Sequence, residues 1–383
     1  MSVTQMLEWE DGGVTRYARW QSASGLPPPR KVILADDTLD ADTAWRLACE
    51  GTAILWRGDY HNARQLRQAI ARRIERGGKR RRAKSESTGE AGRAAFDRYR
   101  LAQSQRARIL GMLLIPVEAG YRVPLRRGPD VKAPCEATFG PDGNDDFVLS
   151  LSELLGVLGA HQWRLKGVPV PALGASIHPH YGVFSPVRGE YLELVARAPL
   201  PSSYLAFDIG TGTGVLAAIL AQRGVREVVA TDQDARALAC ARENIERLGL
   251  AARVRVVEAD LFPPGRAPLL VCNPPWLPAR PTSALEHALY DPGSCMLKGF
   301  LDGVQDHLSP GGEAWLILSD LAEHLGLRSR EELLAMFEAA GLSVTDRLDT
   351  RPTHGRASDR EDPLHAARAA EITALWRLVS RTG

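Results

Sequence analysis

The chain has 383 residues, enough for two domains with a core each, and its 44% hydrophobic and 25% charged content excludes a disordered or fibrous chain. The formal net charge is only +2, and five cysteines (Cys49, Cys135, Cys240, Cys272, Cys295) lie scattered without a CxxC pair, which argues against a zinc site or a disulfide framework. The acidic start MSVTQMLEWEDGG lacks a secretory apolar core, and no uncharged apolar run approaches the ~20 residues of a membrane helix, so a cytoplasmic protein with no membrane partner is expected.

Residues 1–35 read as irregular, with a Pro27-Pro28-Pro29 run. A helical pattern rich in Ala, Leu and Arg follows from Thr38 to Gly77, broken at Gly51 and Gly58. Gly77 to Ser85, GGKRRRAKS, reads as a solvated loop. Another helix is expected from Gly92 to Leu114, loop or short strand from Pro116 to Asn144, and a helix from Phe147 to Trp163 capped by Ser150 or Ser152. Between Arg57 and Arg108 sixteen basic residues face five acids. Such a stretch can follow a phosphate backbone, which makes nucleic-acid binding one reading. The blander reading, placed ahead of it, is a pair of solvated Arg-rich helices in a protein with many arginines. No RRM, KH, zinc-knuckle or OB pattern is visible, and Tyr60, Phe96 and Tyr99 are few aromatics for a base-stacking platform.

Lys166 to Ser185, punctuated by Pro169, Pro171, Gly174, Pro179 and Gly182, reads as a connector with a possible short hairpin. Beyond it, strand-length apolar runs alternate with helices. The strands are Tyr204–Ile209, Glu227–Thr231, Val254–Glu258, Leu269–Cys272, Ala314–Leu318, Ser343–Leu348 and Ile372–Val379. The helices are Val215–Arg223, Ala235–Leu248, Met296–Leu308 and Ser329–Ala340. This predicts an α/β fold, a Rossmann-like seven-stranded mostly parallel sheet with helices on both faces over 166–383. It is preceded over 1–165 by a smaller, mainly helical, Arg-rich accessory or substrate-recognition domain. Trp163, Trp315 and Trp376 sit in apolar settings and are expected in the core.

The first of those strands runs into Asp208-Ile-Gly210-Thr211-Gly212-Thr213-Gly214 and then an apolar helix. Glycines permit the tight turn and a close backbone approach by a ligand. A dinucleotide site wants G-x-G-x-x-G, but the third glycine comes one residue early and Val215 stands where that motif has Gly, which disfavours a dehydrogenase. Asp208, just before the loop, can receive an ammonium, a group NAD lacks. Asp232 ends the second strand, about 20 residues on, where a carboxylate accepts ribose hydroxyls. Asp260 and Leu261 follow the third. Asp232 and Asp260 taken singly could be caps; together with the glycine loop they read as a ligand set.

This order resembles the class I S-adenosylmethionine-dependent methyltransferases. The resemblance covers about the last 200 residues and implies S-adenosyl-L-methionine as cofactor, with Asp208, Gly210, Thr211, Gly212, Thr213, Gly214, Asp232, Asp260, Leu261 and Asn273 around it. Asn273-Pro274-Pro275-Trp276, closing the fourth strand, is similar to the Asn-Pro-Pro-aromatic motif of the small-domain methyltransferases that act on planar nitrogen in protein glutamine or in rRNA and DNA bases. An exocyclic amine or an amide is a poor nucleophile because its lone pair is delocalised. The Asn273 side-chain oxygen and the Pro274 carbonyl can accept its N–H bonds and turn the lone pair toward the methyl group. The prolines stiffen that carbonyl, and Trp276 offers a flat face. Alone, the tetrapeptide could be no more than a rigid turn. In-line transfer needs positioning and no metal.

Phe184 to Tyr191, FSPVRGEY, is where related enzymes place residues over the methionine end of the cofactor; Ser185 and Glu190 are the candidates, an ordinary helix start being the alternative. Tyr290-Asp291-Pro292-Gly293-Ser294 resembles the substrate-side loop of glutamine methyltransferases, without that family's Gly-rich run. His178 and His180 have no evident third metal ligand and are expected to line the mouth of the site. The leading expectation is an N-methyltransferase acting on a protein glutamine or on a nucleobase amine of RNA or DNA. The alternative is a non-catalytic S-adenosylmethionine-binding, RNA-associated module.

Overall fold

The computed structural model describes residues 5–23, 25–86, 92–141, 143–185, 189–281, 286, 289–353 and 359–381. Its contacts divide the chain into two units, Met1–Glu90 with Asp97–Gln162, and Ala91–Phe96 with Trp163–Gly383.

The first unit is built around a sheet. In chain order its elements are β1 (Met6–Asp11), β2 (Val14–Trp20), β3 (Lys31–Ala35), α1 (Ala41–Cys49), β4 (Thr52–Trp56), α2 (Tyr60–Glu86), α3 (Arg93–Leu110, beginning in the second unit), β5 (Leu113–Val117), α4 (Lys132–Phe139), β6 (Phe147–Ser150) and α5 (Leu151–Lys166, ending in the second unit). The six strands run in the order β1-β2-β6-β5-β4-β3. Leu7, Ala18, Ala53, Leu55, Leu114 and Val148 form a core cluster on it. The helices expected of this domain are present together with a six-stranded sheet, and the expectation of an irregular start is corrected: β1 to β3 lie within residues 1–35. These strands are short and several are buried on both faces, as in β4 with its burial run from Ala53 to Trp56. They therefore lack the period-two signal that marks a half-exposed strand. The expected helix from Phe147 begins as β6 and turns helical only at Leu151. The expected loop at Gly77–Ser85 is a continuation of α2, which runs unbroken to Glu86 because long-chain Arg and Lys are good helix formers that outweigh two glycines.

The second unit carries a hairpin, β7 (Val168–Val170) and β8 (Ala175–Ile177), closed by Gly174 at φ 60°. It continues with α6 (Glu190–Arg197), β9 (Leu205–Ile209), α7 (Val215–Gln222), β10 (Glu227–Asp232), α8 (Ala235–Arg247), β11 (Val254–Glu258), β12 (Ala267–Cys272), α9 (Cys295–His307), β13 (Leu308–Ser319), α10 (Leu321–His324), α11 (Arg330–Ala339), β14 (Leu342–Thr350), α12 (His365–Ala370) and β15 (Thr373–Ser380). The sheet order is β11-β10-β9-β12-β13-β15-β14, with β15 antiparallel to both neighbours. The seven strands and four main helices fall where the hydrophobic pattern put them, within a few residues at most ends.

Alternation along these strands feeds two cores. Ala206, Val228, Ala230, Leu269 and Val271 pack with α6 and α7 on one face. Phe207, Ile209, Val229, Leu270 and Cys272 pack with α9 and α11 on the other. A sheet covered on both sides leaves only its edges and strand ends for a ligand. The chain moves from β9 outward through β10 to β11, then returns past β9 to β12, so the order reverses between β9 and β12. Beyond the carboxyl ends of such strands a crevice opens. Trp315 and Trp376 are buried as expected, whereas Trp163 is 49% exposed. Its position near the end of α5 places it on a turn where neighbouring Leu165 is exposed as well.

Candidate active site

Strand register brings the motifs to one edge. Ile209 pairs with Thr231 on one side and Cys272 on the other, so the residues after each (Gly210, Asp232, Asn273) leave the sheet side by side. Asp232 in turn pairs with Glu258, two residues before Asp260.

Gly210, Gly212 and Gly214 have φ of 71°, 56° and 81°, a region closed to most side chains. A Cβ on Gly210 would meet Met296 Cε at 2.3 Å, and one on Gly214 would meet Ala241 Cα at 3.3 Å. A Cβ on Gly212 would meet nothing within 4 Å. Its backbone faces the open side of the loop, where a ligand can approach. Thr211 and Thr213 are buried between the glycines, and the Thr211 amide donates to the Thr231 carbonyl at 2.8 Å.

Asp208 is fully buried. Its Oδ2 accepts from Thr211 Oγ1 at 2.6 Å and from the Ala217 amide at 3.0 Å. Its Oδ1 is buried with no partner among the described residues. Burial raises the carboxyl to about 6. An orphaned carboxylate oxygen beside a glycine loop fits a ligand ammonium. Asp232 is half-buried; its Oδ2 accepts from the Gly212 amide at 3.0 Å and its Oδ1 from the Asp234 amide at 2.9 Å. Burial raises its pKa as well. It therefore braces the loop and keeps lone pairs for hydroxyls. Asp260 is exposed, and Leu261 sits at φ 66°, a strained backbone for leucine, with its carbonyl held by Thr231 Oγ1 at 2.5 Å.

At the end of β12, Asn273 is half-buried, Pro274 buried, and Pro275 and Trp276 half-buried. Asn273 Oδ1 accepts from Trp276 Nε1 at 2.9 Å. The Trp276 ring is wedged between both cores and meets Tyr191 edge to face at 6.3 Å. Tyr191 is buried, and burial holds its phenol well above the ordinary tyrosine value. The loop after the tetrapeptide is pinned by the Asp291 amide, which donates to the Leu277 carbonyl at 2.8 Å. The Asp291 carboxylate accepts from the Met296 and Leu297 amides at the start of α9.

The remaining candidates scatter. Ser185 Oγ is buried without a partner among the described residues, and Glu190 Oε1 accepts from the amide and hydroxyl of Thr353 at 2.6 and 2.8 Å. Pro186, Val187 and Arg188 lie outside the described residues. His180 Nε2 meets Glu243 Oε2 at 2.7 Å, and His178 Nδ1 meets the Arg164 carbonyl at 2.6 Å. Among the described residues no group of three His, Cys, Asp or Glu is placed to hold a metal. Sequence reading overlooked Asn244, buried on α8, whose Oδ1 accepts from the His178 amide at 2.8 Å while Nδ2 donates to the Thr213 carbonyl at 3.1 Å. An asparagine on the apolar stripe Ala237, Leu238, Ala241, Ile245 was the available signal. Tyr191 carried a similar one, a phenol on an otherwise apolar helix face.

A family model described as "Methyltransferase small domain" matches residues 176–340. The tRNA1(Val) (adenine(37)-N6)-methyltransferase of Tolumonas auensis is 30% identical over 178 residues, which cover 45% of this chain and 72% of that protein. The chain belongs to the class I S-adenosylmethionine-dependent methyltransferases of the small-domain type. The release factor glutamine methyltransferase of Cereibacter sphaeroides is 35% identical over 181 residues, 43% of this chain; the chain spans 63% of that protein's length. A methyltransferase of known structure from Pyrococcus furiosus, 20% identical, covers 60% of this chain and 98% of its own with a TM-score of 0.39. The family's cofactor, S-adenosylmethionine, fits the orphaned Asp208 oxygen, the open Gly212 and the half-buried Asp232 of the methyltransferase domain. No described helix of the chain is long and apolar enough to cross a membrane.

Proposed function

We propose that this chain transfers the methyl group of S-adenosylmethionine to a planar amino or amide nitrogen, in a protein glutamine side chain or in a nucleobase of RNA or DNA. When bound, the cofactor supplies an electrophilic methyl group on a sulfonium, whose carbon–sulfur bond breaks toward sulfur as the nitrogen lone pair forms the new carbon–nitrogen bond. The observation that carries the reading is the Asn273 amide held by the Trp276 indole beside the glycine loop. With one lone pair of Oδ1 taken by the indole, the second is left to accept an N–H of the substrate nitrogen, while the Pro274 carbonyl accepts the other. Both bonds strengthen as that nitrogen gains positive charge, which is where preorganised acceptors act most. The nitrogen then sheds one proton to solvent.

Asp208 holds the ammonium end of the cofactor in this reading, Asp232 the ribose hydroxyls, and Asp260 with Leu261 the adenine. The N-terminal unit serves as the accessory domain that selects a macromolecular substrate, with the cytoplasm as the compartment. The names of the two curated relatives, one acting on a release factor glutamine and one on a tRNA adenine, support both substrate classes. The test is transfer of tritium from labelled S-adenosylmethionine into extract of a deletion strain, with the product split by protease and by nuclease. Label in neither fraction, under conditions where S-adenosylhomocysteine binds, would refute catalysis on these substrates.

A further inference from the structure

We propose that Arg328 receives a backbone phosphate of the substrate strand, so that the substrate is a nucleic acid; this rests on the methyl-transfer reading and specifies its substrate.

Arg328 is only 7% exposed. Among the described residues its buried Nε has no hydrogen-bond partner and its guanidinium forms no ion pair. A buried cation without a partner is costly, and native chains seldom keep one idle. Three carboxylates act on its charge, those of Glu323, Asp291 and Glu332. Each is committed elsewhere. Glu323 Oε1 accepts from Arg330 Nε at 2.7 Å. Glu332 closes the capping box with Ser329 at the start of α11. Both Asp291 oxygens accept amides at the start of α9. Helix ends and Arg330 therefore offset those charges locally, and Nε is left without an acceptor among the described residues.

Its place is at the working edge. Arg328 follows α10 beyond the carboxyl end of β13, and β13 runs parallel to β12 with Leu316 beside Cys272. Its neighbour Asp291 is bonded to Leu277, the residue after Trp276. A base whose amine lies at Asn273 carries its own phosphate one sugar away. A planar guanidinium matches two phosphate oxygens at once. A peptide carboxylate offers the same geometry, but sixteen basic residues against five acids between Arg57 and Arg108 favour a polyanion.

The test uses the full chain saturated with S-adenosylhomocysteine and a short fluorescein-labelled single-stranded RNA, with anisotropy measured across a salt series. Arg328→Met should weaken RNA binding about tenfold or more and make the log–log salt slope shallower by about 0.7. Its affinity for S-adenosylhomocysteine should match wild type, and its Tm should stay level or rise, since no native ion pair is lost. Arg328→Lys, charged but without the fork, should fall between. Unchanged RNA affinity and slope in Arg328→Met would overturn the proposal. So would no RNA binding by wild type at low salt, or a glutamine peptide with acidic flanks that loses affinity where RNA does not. A fall in Tm together with lost S-adenosylhomocysteine binding would make Arg328 structural. If wild type binds no S-adenosylhomocysteine at all, it is the methyl-transfer reading that fails.

Discussion

The indole Nε1 of Trp276 donates to Oδ1 of Asn273 at 2.9 Å, and the two residues lie three apart with both prolines between them. The aromatic residue of the tetrapeptide therefore orients the Asn273 amide, the acceptor in the proposed transfer. Asn273→Ala should depress turnover about 10²–10³-fold with S-adenosylhomocysteine affinity near wild type. Trp276→Phe keeps the ring and deletes the donor, so kcat should fall about threefold to tenfold with little change in KM. Steady-state kinetics check both. A rise in KM alone for Trp276→Phe would return the ring to a stacking role, and loss of S-adenosylhomocysteine binding in Asn273→Ala would move Asn273 into the cofactor site.

Asp208 makes the ligand-free protein sensitive to pH. Its carboxyl is raised to about 6, above the ~3.9 of an unfolded aspartate. Between those values the native state keeps a proton that the unfolded chain has released. Its contribution to stability therefore falls as pH rises from about 4 to about 6. A cofactor ammonium on the orphaned Oδ1 removes that penalty. S-adenosylhomocysteine should raise Tm more above pH about 6 than below pH about 4. Asp208→Asn should flatten the ligand-free pH profile and weaken the ligand at least tenfold. A ligand-induced shift independent of pH in wild type would detach Asp208 from the ammonium.

The glycines separate backbone strain from ligand space. Gly212→Ala and Gly214→Ala both force alanine to positive φ, at about 1–2 kcal/mol each. A methyl on Gly214 also presses on Ala241, whereas one on Gly212 enters open space on the ligand side. Gly214→Ala should therefore lose more Tm, and Gly212→Ala more affinity for S-adenosylhomocysteine. Thermal denaturation and calorimetry on the pair decide it; the reverse ranking would turn the loop around.

Asp232 has two tasks. Its carboxylate braces the Gly212 and Asp234 amides, and in the proposed site it also accepts ribose hydroxyls. Asp232→Ala should lose about 1–3 kcal/mol of stability from the two bonds. It should also weaken S-adenosylhomocysteine at least tenfold, beyond what the looser loop alone would cost. Adenine-free analogues that retain the ribose should lose as much as the full ligand. If only Tm moves, Asp232 is a brace and nothing more.

The local order of the catalytic half was legible in the sequence because each of its rules is local. Apolar runs mark buried parallel strands, Ser329 opens the helix expected to Ala340, and three glycines with Asp208 mark the loop proposed to hold the ligand. The N-terminal sheet was not legible. Strands as short as Phe147–Ser150 are fixed by partners such as β5 and β2, from other parts of the chain. In Phe147 to Trp163 a helical pattern hid the strand, and in Gly77 to Ser85 a loop-like composition hid a helix. At the site, the sequence named Asn273 and Trp276 but not the bond between them. Tyr191 and Asn244 meet neighbours that lie dozens of positions away, and Arg328 lies near Asp291, 37 positions before it. Asn244 meets Thr213 and His178 because α8 packs beside the glycine loop, and among the described residues Arg328 forms no ion pair because the acids near it are bonded to helix ends and to Arg330. Residue type and spacing state what a side chain is able to do; which of its partners is present, and which is missing, is decided only when distant segments pack, because hydrogen bonds reach about 3 Å and no further.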